Sequence, residues 1–234
     1  MKRFLPLLII AVVALVTAGV AATFYRTKMQ ATPTPVAAVA PSTAPAAASG
    51  AGAATAPASE DSSHVRGPKN APVTLEIYGD FQCPPCALVS QGIDEIQDKH
   101  KDQMRVVFHQ FPLDMHAHAK EAALAAEAAA VQGKFWEMHD KLYQNQPAWS
   151  EAPNAKFLFD GYAEALGLDV ARFRADRSAR DVRAQVRQDI AAGDRRGVKA
   201  TPTVFVNGDR LHNGFTREEL EKTIEAALPP KKNS

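Results

Sequence analysis

The chain has 234 residues, 46% of them hydrophobic, and a formal net charge of +1 at pH 7. This length allows one large domain or two small ones, and the near-zero charge gives no basis for a nucleic-acid partner. The only cysteines are Cys83 and Cys86. A structural disulfide framework is therefore excluded, because a bridge that closes so short a loop would constrain the unfolded chain very little.

The N-terminal segment predicts export. A short basic start is followed by an almost unbroken apolar run from Phe4 to Tyr25. The run is long enough to cross a bilayer core of roughly 30 Å as a helix, and it exceeds the roughly 7 to 15 residues of a typical signal-peptide core. We therefore expect residues 1–29 to hold a signal anchor that tethers the chain through residues 4–25. A cleaved signal peptide is the alternative, because Gly19 to Ala21 offers small residues to a signal peptidase.

Residues 30–66 form a predicted linker. Their composition is dominated by Ala, Pro, Ser, Thr and Gly, and no charged residue occurs before Glu60 and Asp61. Such a segment cannot bury enough apolar surface to offset its ordering entropy. The sequence thus predicts a disordered tether that joins the apolar segment to a folded head at residues 67–229, with a short tail at residues 230–234.

The head begins with a strand, a helix and a second strand. The stretch from Val73 to Tyr78 has strand composition, Cys83 to Asp98 has apolar residues at helical spacing, and Met104 to His109 is again strand-like. Together they predict a βαβ unit in which the two cysteines lie where the first strand meets the helix.

A helical insertion is expected to follow, at about residues 115–193. Its predicted helices lie at about residues 117–131, 134–144, 154–166 and 178–192. The chain then returns to a strand from Thr203 to Val206, turns at Asn207 and Gly208, and pairs back through residues 210–215. A last helix begins at Thr216, because Thr216 and Glu219 have capping-box spacing.

The spacing of the two cysteines favours redox chemistry. The attacking species in disulfide exchange is a thiolate, and a cysteine at a helix N-terminus has its thiolate stabilised by unpaired N–H groups and the helix dipole. Cys83 has that position. Cys86, one turn further along, is expected to be less exposed and to resolve the mixed disulfide. Pro84 suits the first helical position, where its missing N–H is not needed.

Two other uses of the cysteines stay open. A metal-handling module, for example for copper, would use Cys83, Cys86 and a histidine. A tetrahedral site needs about four ligands, whereas the chain has no second CxxC, and His116 and His118 do not have zinc-finger spacing. The sequence therefore predicts no bound metal. The other alternative is a peptide-holding scaffold in which the cysteines are incidental.

Other polar residues are expected to have ordinary roles. His109, His116, His118 and His139 are expected to be solvated or hydrogen-bonded, which is commoner than metal ligation. The arginine-rich stretch from Arg172 to Arg196 contains interspersed aspartates and is expected to form a solvated helical face.

The segments Asp80 to Cys86 (DFQCPPC) and Ala200 to Thr203 (ATPT), in this order of elements, resemble the thioredoxin superfamily, and within it the DsbA-like group. The resemblance spans essentially the whole head. It implies an α/β thioredoxin-like fold with a helical insertion. It also implies a thiol-disulfide oxidoreductase whose redox group is the Cys83–Cys86 disulfide, with no other cofactor.

The resemblance also implies partners and a location. The partners would be unfolded or cysteine-containing exported proteins, together with a membrane redox partner that resets the cysteine pair. The head would work on the periplasmic side of a bacterial envelope, next to the inner membrane. Thr201 and Pro202 would be joined by a cis bond beside the cysteines, where the backbone before the proline pairs with the substrate like an added strand.

One position departs from the family pattern. DsbA-like proteins usually carry a buried acid six residues before the nucleophile, and that position here is Ile77. Glu76 is adjacent, but strand side chains alternate between faces, so we expect Glu76 to be a surface or ion-paired residue. Glu76 and Asp80 are retained as candidates for proton transfer.

The residues between the cysteines bear on the direction of the reaction. Pro84 and Pro85 offer neither a backbone N–H nor a positive charge, so the thiolate depends on the Cys86 N–H, the helix dipole and Thr201. Strongly oxidising members of the resembled family have a histidine at the position of Pro85. We therefore expect a less oxidising pair than theirs, with an oxidase or isomerase role favoured over an envelope reductase.

Overall fold

The structure is a computed structural model that describes residues 64–212 and 216–229. The predicted anchor, nearly all of the predicted linker, the tail and the end of the last predicted strand lie outside the described residues. Among the residues that it does describe, no helix combines the length and the apolar character needed to span a membrane.

Five strands form one mixed sheet, in the spatial order β1-β3-β2-β4-β5. Their bounds are β1 Val65–Arg66, β2 Val73–Gly79, β3 Met104–Gln110, β4 Thr203–Val206 and β5 Asp209–Arg210. The central strand β2 runs parallel to β3 and antiparallel to β4. It is covered on both faces, which is why its sequence is apolar almost throughout.

Eight helices surround this sheet within the described residues. They are α1 Pro84–Lys99, α2 Ala119–Ala130, α3 Phe135–Gln144, α4 Gln146–Trp149, α5 Ala155–Ala165, α6 Val170–Asp176, α7 Arg180–Arg195 and α8 Arg217–Ala227. Helices α2 to α7 form the insertion between β3 and β4. The observed order is the predicted one: βαβ, helical insertion, ββα.

Three short elements were not predicted. Strand β1 pairs antiparallel with β3, so Val65 and Arg66 belong to the head and not to the linker. Helices α4 and α6 have four and seven residues. These elements are too short to show a hydrophobic period, and their partners in the tertiary structure decide their conformation.

The two faces of β2 pack against different layers. Leu75 and Ile77 belong to the main core, which also contains Cys86 and residues of α1 and α3. Tyr78 belongs to a second cluster on the opposite face, with Phe111, Val198 and Phe205 as its other buried members. Because strand side chains alternate, the cysteines and Ile77 share one side of the sheet, and Glu76 points to the other.

Candidate active site

The cysteine pair lies at the start of α1, next to the loop before β4. Cys83 is the N-cap residue with an extended backbone (φ −74°, ψ 117°), and the two prolines fill the first turn. The Cys83 Sγ lies 3.3 Å from the carbonyl oxygen of Thr201. Both thiols are free. The two prolines are exposed, while both cysteines are buried.

Both cysteines are almost completely buried. Cys86 is 3% exposed, only slightly less than Cys83 at 4%, so the expected difference in exposure is small. Cys83 is covered because the chain segment at Thr201 packs against its sulfur. This neighbour is more than a hundred residues away in sequence, so helix position alone could not reveal it.

The two thiols differ strongly in acidity. The hydrogen bond from the Cys86 side chain lowers the pKa of Cys83 from 9.0 to about 6, with further help from Thr201 and the Cys86 N–H, while burial and the charge of Asp80 oppose the shift. Burial raises the pKa of Cys86 well above 9.0, and the neighbouring Cys83 raises it further. At neutral pH Cys83 therefore has the properties of the attacking sulfur, and Cys86 those of the resolving sulfur.

The peptide bond between Thr201 and Pro202 is cis, as the resemblance implied. Pro202 directly precedes β4, which pairs with β2. The Thr203 hydroxyl donates to the carbonyl oxygen of Ala200 at 2.7 Å. The loop thus places the Thr201 backbone next to Cys83.

A side chain of the insertion holds the loop before the cysteines. Gln146 Nε2, in α4, donates to the carbonyl oxygens of Phe81 (2.6 Å) and Cys83 (3.0 Å). Gln82 Nε2 in turn donates to the carbonyl oxygen of Ser150 at 2.9 Å. Nothing in the sequence pattern points to Gln146, because a single glutamine in a four-residue helix carries no periodic signal.

Asp80 lies at the site and is buried. Its carboxylate accepts hydrogen bonds from the N–H groups of Gln82 (2.7 Å) and Leu113 (2.9 Å), and it pairs with His116 Nδ1 at 2.6 Å. The negative charge of Asp80 raises the pKa of Cys83 and so opposes the larger effects that lower this pKa. His116 is therefore a hydrogen-bonded partner of Asp80.

Glu76 lies on the opposite face of the sheet and is 0% exposed. Its Oε2 is 2.6 Å from Arg196 Nη1 and 3.4 Å from His109 Nε2. Burial raises the pKa of Glu76, but the bonds to His109 and Arg196 outweigh it and hold the pKa below 4.5. The structure does not bring Glu76 to the cysteines, so the proposed proton transfer by Glu76 receives no support from the geometry.

The expectation of a solvated arginine face is wrong for Arg196. Its guanidinium packs 3.8 Å above the Phe205 ring and pairs with the buried Glu76. Arg196 follows the last residue of α7, where the chain turns back towards the sheet, so its side chain reaches the core side of the helix. His109, which was expected to be solvated or hydrogen-bonded, is buried next to this ion pair, with its Nε2 3.4 Å from Glu76 Oε2.

A largely apolar groove of about 530 Å³ adjoins the cysteines. Its walls come from α1, the loop before β4 and the start of α8, with Leu88, Val89, Thr201, Pro202, Arg217 and Leu220 among the lining residues. Leu88 is 71% exposed. Over the described stretches of chain, no three His, Cys, Asp or Glu side chains are grouped so that they could hold a metal ion.

Comparisons with known proteins show what the chain is similar to. A family model described as Thioredoxin matches residues 59–226. The crystal structure of oxidised BdbD from Bacillus subtilis superposes with a TM-score of 0.62 at 26% identity, covering 70% of this chain and 91% of that one. The thiol-disulfide exchange protein alpha-DsbA2 from Wolbachia pipientis superposes with a TM-score of 0.60 at 15% identity, covering 69% and 85%.

A curated relative carries a different name. The Na(+)/H(+) antiporter NhaA 1 of Salinispora arenicola is 42% identical over 173 residues, which are 74% of this chain and 26% of the antiporter. The chain thus spans about a quarter of the length of that relative. A shared stretch of this size does not carry the antiporter's named activity to this chain.

Proposed function

The chain belongs to the thioredoxin family and has the thioredoxin-like α/β fold of DsbA-like thiol-disulfide oxidoreductases, and from this premise we propose that it exchanges disulfides with cysteine-containing polypeptides through Cys83 and Cys86. In this reaction a thiolate attacks one sulfur of a disulfide, a mixed disulfide forms, and a second thiolate resolves it. The redox group is the Cys83–Cys86 pair itself, with no other cofactor.

The observation that carries this proposal is the geometry of the pair: Cys83 is the N-cap residue of α1, with Cys86 one turn further along, and its sulfur lies 3.3 Å from the Thr201 carbonyl oxygen. The acidities of the two thiols agree with this geometry. The pKa of Cys83 is lowered to about 6, whereas that of Cys86 is raised well above 9.0. Thiolates are the reactive nucleophiles, so only one sulfur of the pair is charged and reactive at neutral pH. Burial alone is common for incidental cysteines, but such a pair would have no reason to differ in acidity in this way.

We also propose where a client polypeptide binds. An extended segment would lie along the backbone at Thr201, as an added strand does, and its apolar side chains would enter the groove lined by Leu88 and Pro202. Thr201 is suited to this role because its carbonyl oxygen already lies 3.3 Å from Cys83. Pro84 and Pro85 are exposed beside the sulfur and would shape the approach of the client.

The direction and location of the reaction are part of the same proposal. A lowered Cys83 pKa stabilises the reduced form, which makes a pair oxidising, so we propose a disulfide oxidase or isomerase. The clients would be exported proteins, and a membrane redox partner would reset the pair. The apolar run from Phe4 to Tyr25 supports a location on the periplasmic side of a bacterial envelope, anchored in the inner membrane.

The proposal is tested by trapping. A Cys86→Ala variant keeps the attacking sulfur and loses the resolving one, so it should accumulate mixed disulfides with exported cysteine-containing proteins. Non-reducing gels and mass spectrometry would detect them, with Cys83→Ala as the matched control that forms none. If Cys86→Ala gave no adducts in envelope extracts, a role on protein substrates would be wrong.

A further inference from the structure

The resolving thiol must change its protonation state in each turnover. When a client thiolate attacks Cys83 of the disulfide, the Cys83–Cys86 bond breaks, and Cys86 leaves as a thiolate that takes up a proton. In the reverse direction Cys86 gives up that proton, its sulfur attacks Cys83, and the client thiolate leaves. Cys86 is 3% exposed, and Ile77 occupies the position of the usual acid, so another group must carry the proton.

A narrow crevice lies beside Cys86, and the residues of α1 that line it are different from those that line the apolar groove at Pro202. Its walls include Ile77, Ser90, Asp94, His139 and Tyr143, in addition to Cys86 itself. The free space within it is about 10 Å³, which is roughly what one water molecule needs. The crevice therefore connects the buried Cys86 sulfur with polar side chains of α1 and α3, whereas β2 contributes only the apolar Ile77 to its walls.

Three of these residues lie in a row on α1. Cys86, Ser90 and Asp94 are four positions apart, so their side chains lie above one another on one helix face. From Cys86 to Asp94 the helix rises about 12 Å at roughly 1.5 Å per residue. Ser90 lies halfway, and its hydroxyl is able both to donate and to accept a hydrogen bond. The serine would bridge this distance together with one water molecule between Cys86 and Ser90 and a second, from solvent, between Ser90 and the partly exposed Asp94, since each hydrogen bond spans only about 2.8 Å.

Tyr143 closes the inner end of the crevice. Its hydroxyl donates to the Asp80 carbonyl oxygen at 3.4 Å and also interacts with the Cys86 side chain. Burial raises the pKa of Tyr143 well above 10.0, and the charges of Cys86 and Asp80 add to this. Tyr143 thus stays protonated and can stabilise the Cys86 thiolate, but it is not the final acceptor of the proton.

Asp94 lies at the outer end and is in contact with solvent. Its side chain is 43% exposed, and its Oδ1 pairs with Arg66 Nη1 at 2.8 Å. Burial and the charge of Asp140 raise the pKa of Asp94, while Arg66 opposes the shift. Burial lowers the pKa of His139, which also faces the crevice. Of these groups, Asp94 alone is an acid that lines the crevice and meets water.

We propose that Asp94 accepts the proton of Cys86 and returns it, through Ser90 and water in the crevice. Asp94 would thus do what the buried acid does in DsbA-like proteins, whose position is occupied here by Ile77. This inference rests on the proposed thiol-disulfide exchange. Asp94 would act on the reaction through Ser90 and water, without contacting either sulfur. The transfer is balanced, because the proton that Cys86 loses or gains is the one that Asp94 gains or loses.

The test follows the reduction of the Cys83–Cys86 disulfide by dithiothreitol as a function of pH. An Asp94→Asn variant should react roughly a hundred-fold more slowly near neutral pH, the lower end of the range for general acid–base catalysis. Its rate should also no longer depend on the ionisation of an acidic group. Ser90→Ala should resemble it, and Ser90→Thr, which keeps the hydroxyl, should recover the rate.

Two matched controls separate the relay from charge and stability. Glu95→Gln removes an equal charge from the next position of α1, where Glu95 pairs with Arg217. Asp140→Asn removes the other carboxylate of Arg66 and leaves Asp94 in place. Glu95→Gln should keep the pH profile of the unaltered chain within about two-fold. Asp140→Asn should keep the maximal rate within the same range, but its profile should shift to lower pH, because it removes a charge that raises the pKa of Asp94. The Cys83 pKa, followed by thiolate absorbance, should stay near 6 in every variant.

A pH profile of Asp94→Asn that coincided with that of Glu95→Gln would overturn the inference. So would an equal slowing by Asp140→Asn, which would show that the ion pairs of Arg66 matter and not the proton path. The assay is independent of clients: a chain that never reacted with cysteine-containing polypeptides would refute the proposed function, while dithiothreitol would still report on the proton step.

Discussion

At the scale of single residues, Cys83 determines how the protein depends on pH. Because its pKa is lowered to about 6, its thiolate fraction falls as the pH drops through 6. We expect the alkylation of Cys83 by iodoacetamide to be half-maximal near pH 6, with Cys86 unmodified until far more alkaline pH. Mass spectrometry after timed labelling would measure both rates. Modification of Cys86 first would reverse the assigned roles.

The same pKa predicts a pH-dependent stability of the reduced form. The folded pKa of Cys83 lies below its ordinary value of 9.0, so its contribution to the free energy of unfolding is complete above pH 9 and is lost as the pH falls through 6. Urea unfolding of the reduced protein between these pH values would measure this. Cys83→Ser, which does not ionise there, is the control and should lack this contribution.

A substitution at Pro85 tests the direction of the reaction. A histidine there would place a donor or a positive charge beside the Cys83 sulfur, where the two prolines offer none. Pro85→His should lower the Cys83 pKa below 6 and raise the reduction potential, measured by equilibration with glutathione. The potential of the unaltered pair should fall between the roughly −270 mV of thioredoxin and the roughly −120 mV of DsbA. An unchanged or lower potential in the variant would refute the argument from missing donors.

At the scale of elements, the short helix α4 fixes the loop that presents Cys83. The Gln146 amide satisfies two buried carbonyl groups, at Phe81 and Cys83. Gln146→Leu would leave both without that donor, at about 1–3 kcal/mol for each unsatisfied group. We expect a lower melting temperature and a faster alkylation of Cys83, because the loop is released. Gln144→Leu, at an exposed neighbouring position, is the control and should change neither quantity appreciably.

At the scale of the whole molecule, a buried ion pair joins the insertion to the sheet. Arg196, just after α7, pairs with Glu76 on β2 at 2.6 Å, and both are largely withdrawn from water. Arg196→Met should destabilise the fold by up to about 3–5 kcal/mol, because it removes the nearer cationic partner of the buried Glu76 and leaves only His109, at 3.4 Å. Glu76→Gln in the same chain should recover most of that loss, since it removes the charge. Urea unfolding at neutral pH would compare them.

The control for this pair is Arg195→Met, an exposed neighbour on α7, which should change the free energy of unfolding by less than about 0.5 kcal/mol. If Arg196→Met changed the free energy of unfolding as little as Arg195→Met does, the ion pair would not stabilise the packing of the insertion against the sheet. Disulfide exchange should continue in the folded fraction of every variant, since Glu76 lies on the face of β2 away from the cysteines.

Local sequence was sufficient for much of this structure. Strand β2, helix α1 and the capping box at Thr216 were predictable because their signals act over a few residues. These signals are apolar periodicity, a proline after the first cysteine and the Thr-x-x-Glu spacing. The capping box is present with both of its hydrogen bonds. The two cysteines at the start of a helix indicated redox chemistry for the same reason, since the helix N-terminus itself stabilises a thiolate.

Tertiary structure decided the rest, because the deciding contacts join residues that are far apart in the chain. The burial of Cys83 depends on Thr201, the loop before it is held by Gln146, and Glu76 meets Arg196 instead of the sulfurs. The alternation of β2 predicted that Glu76 would point away from the cysteines, but only the packing of α7 showed what it would meet. The crevice from Cys86 to Asp94 likewise exists because α3 lies across α1, which no pattern within either helix determines.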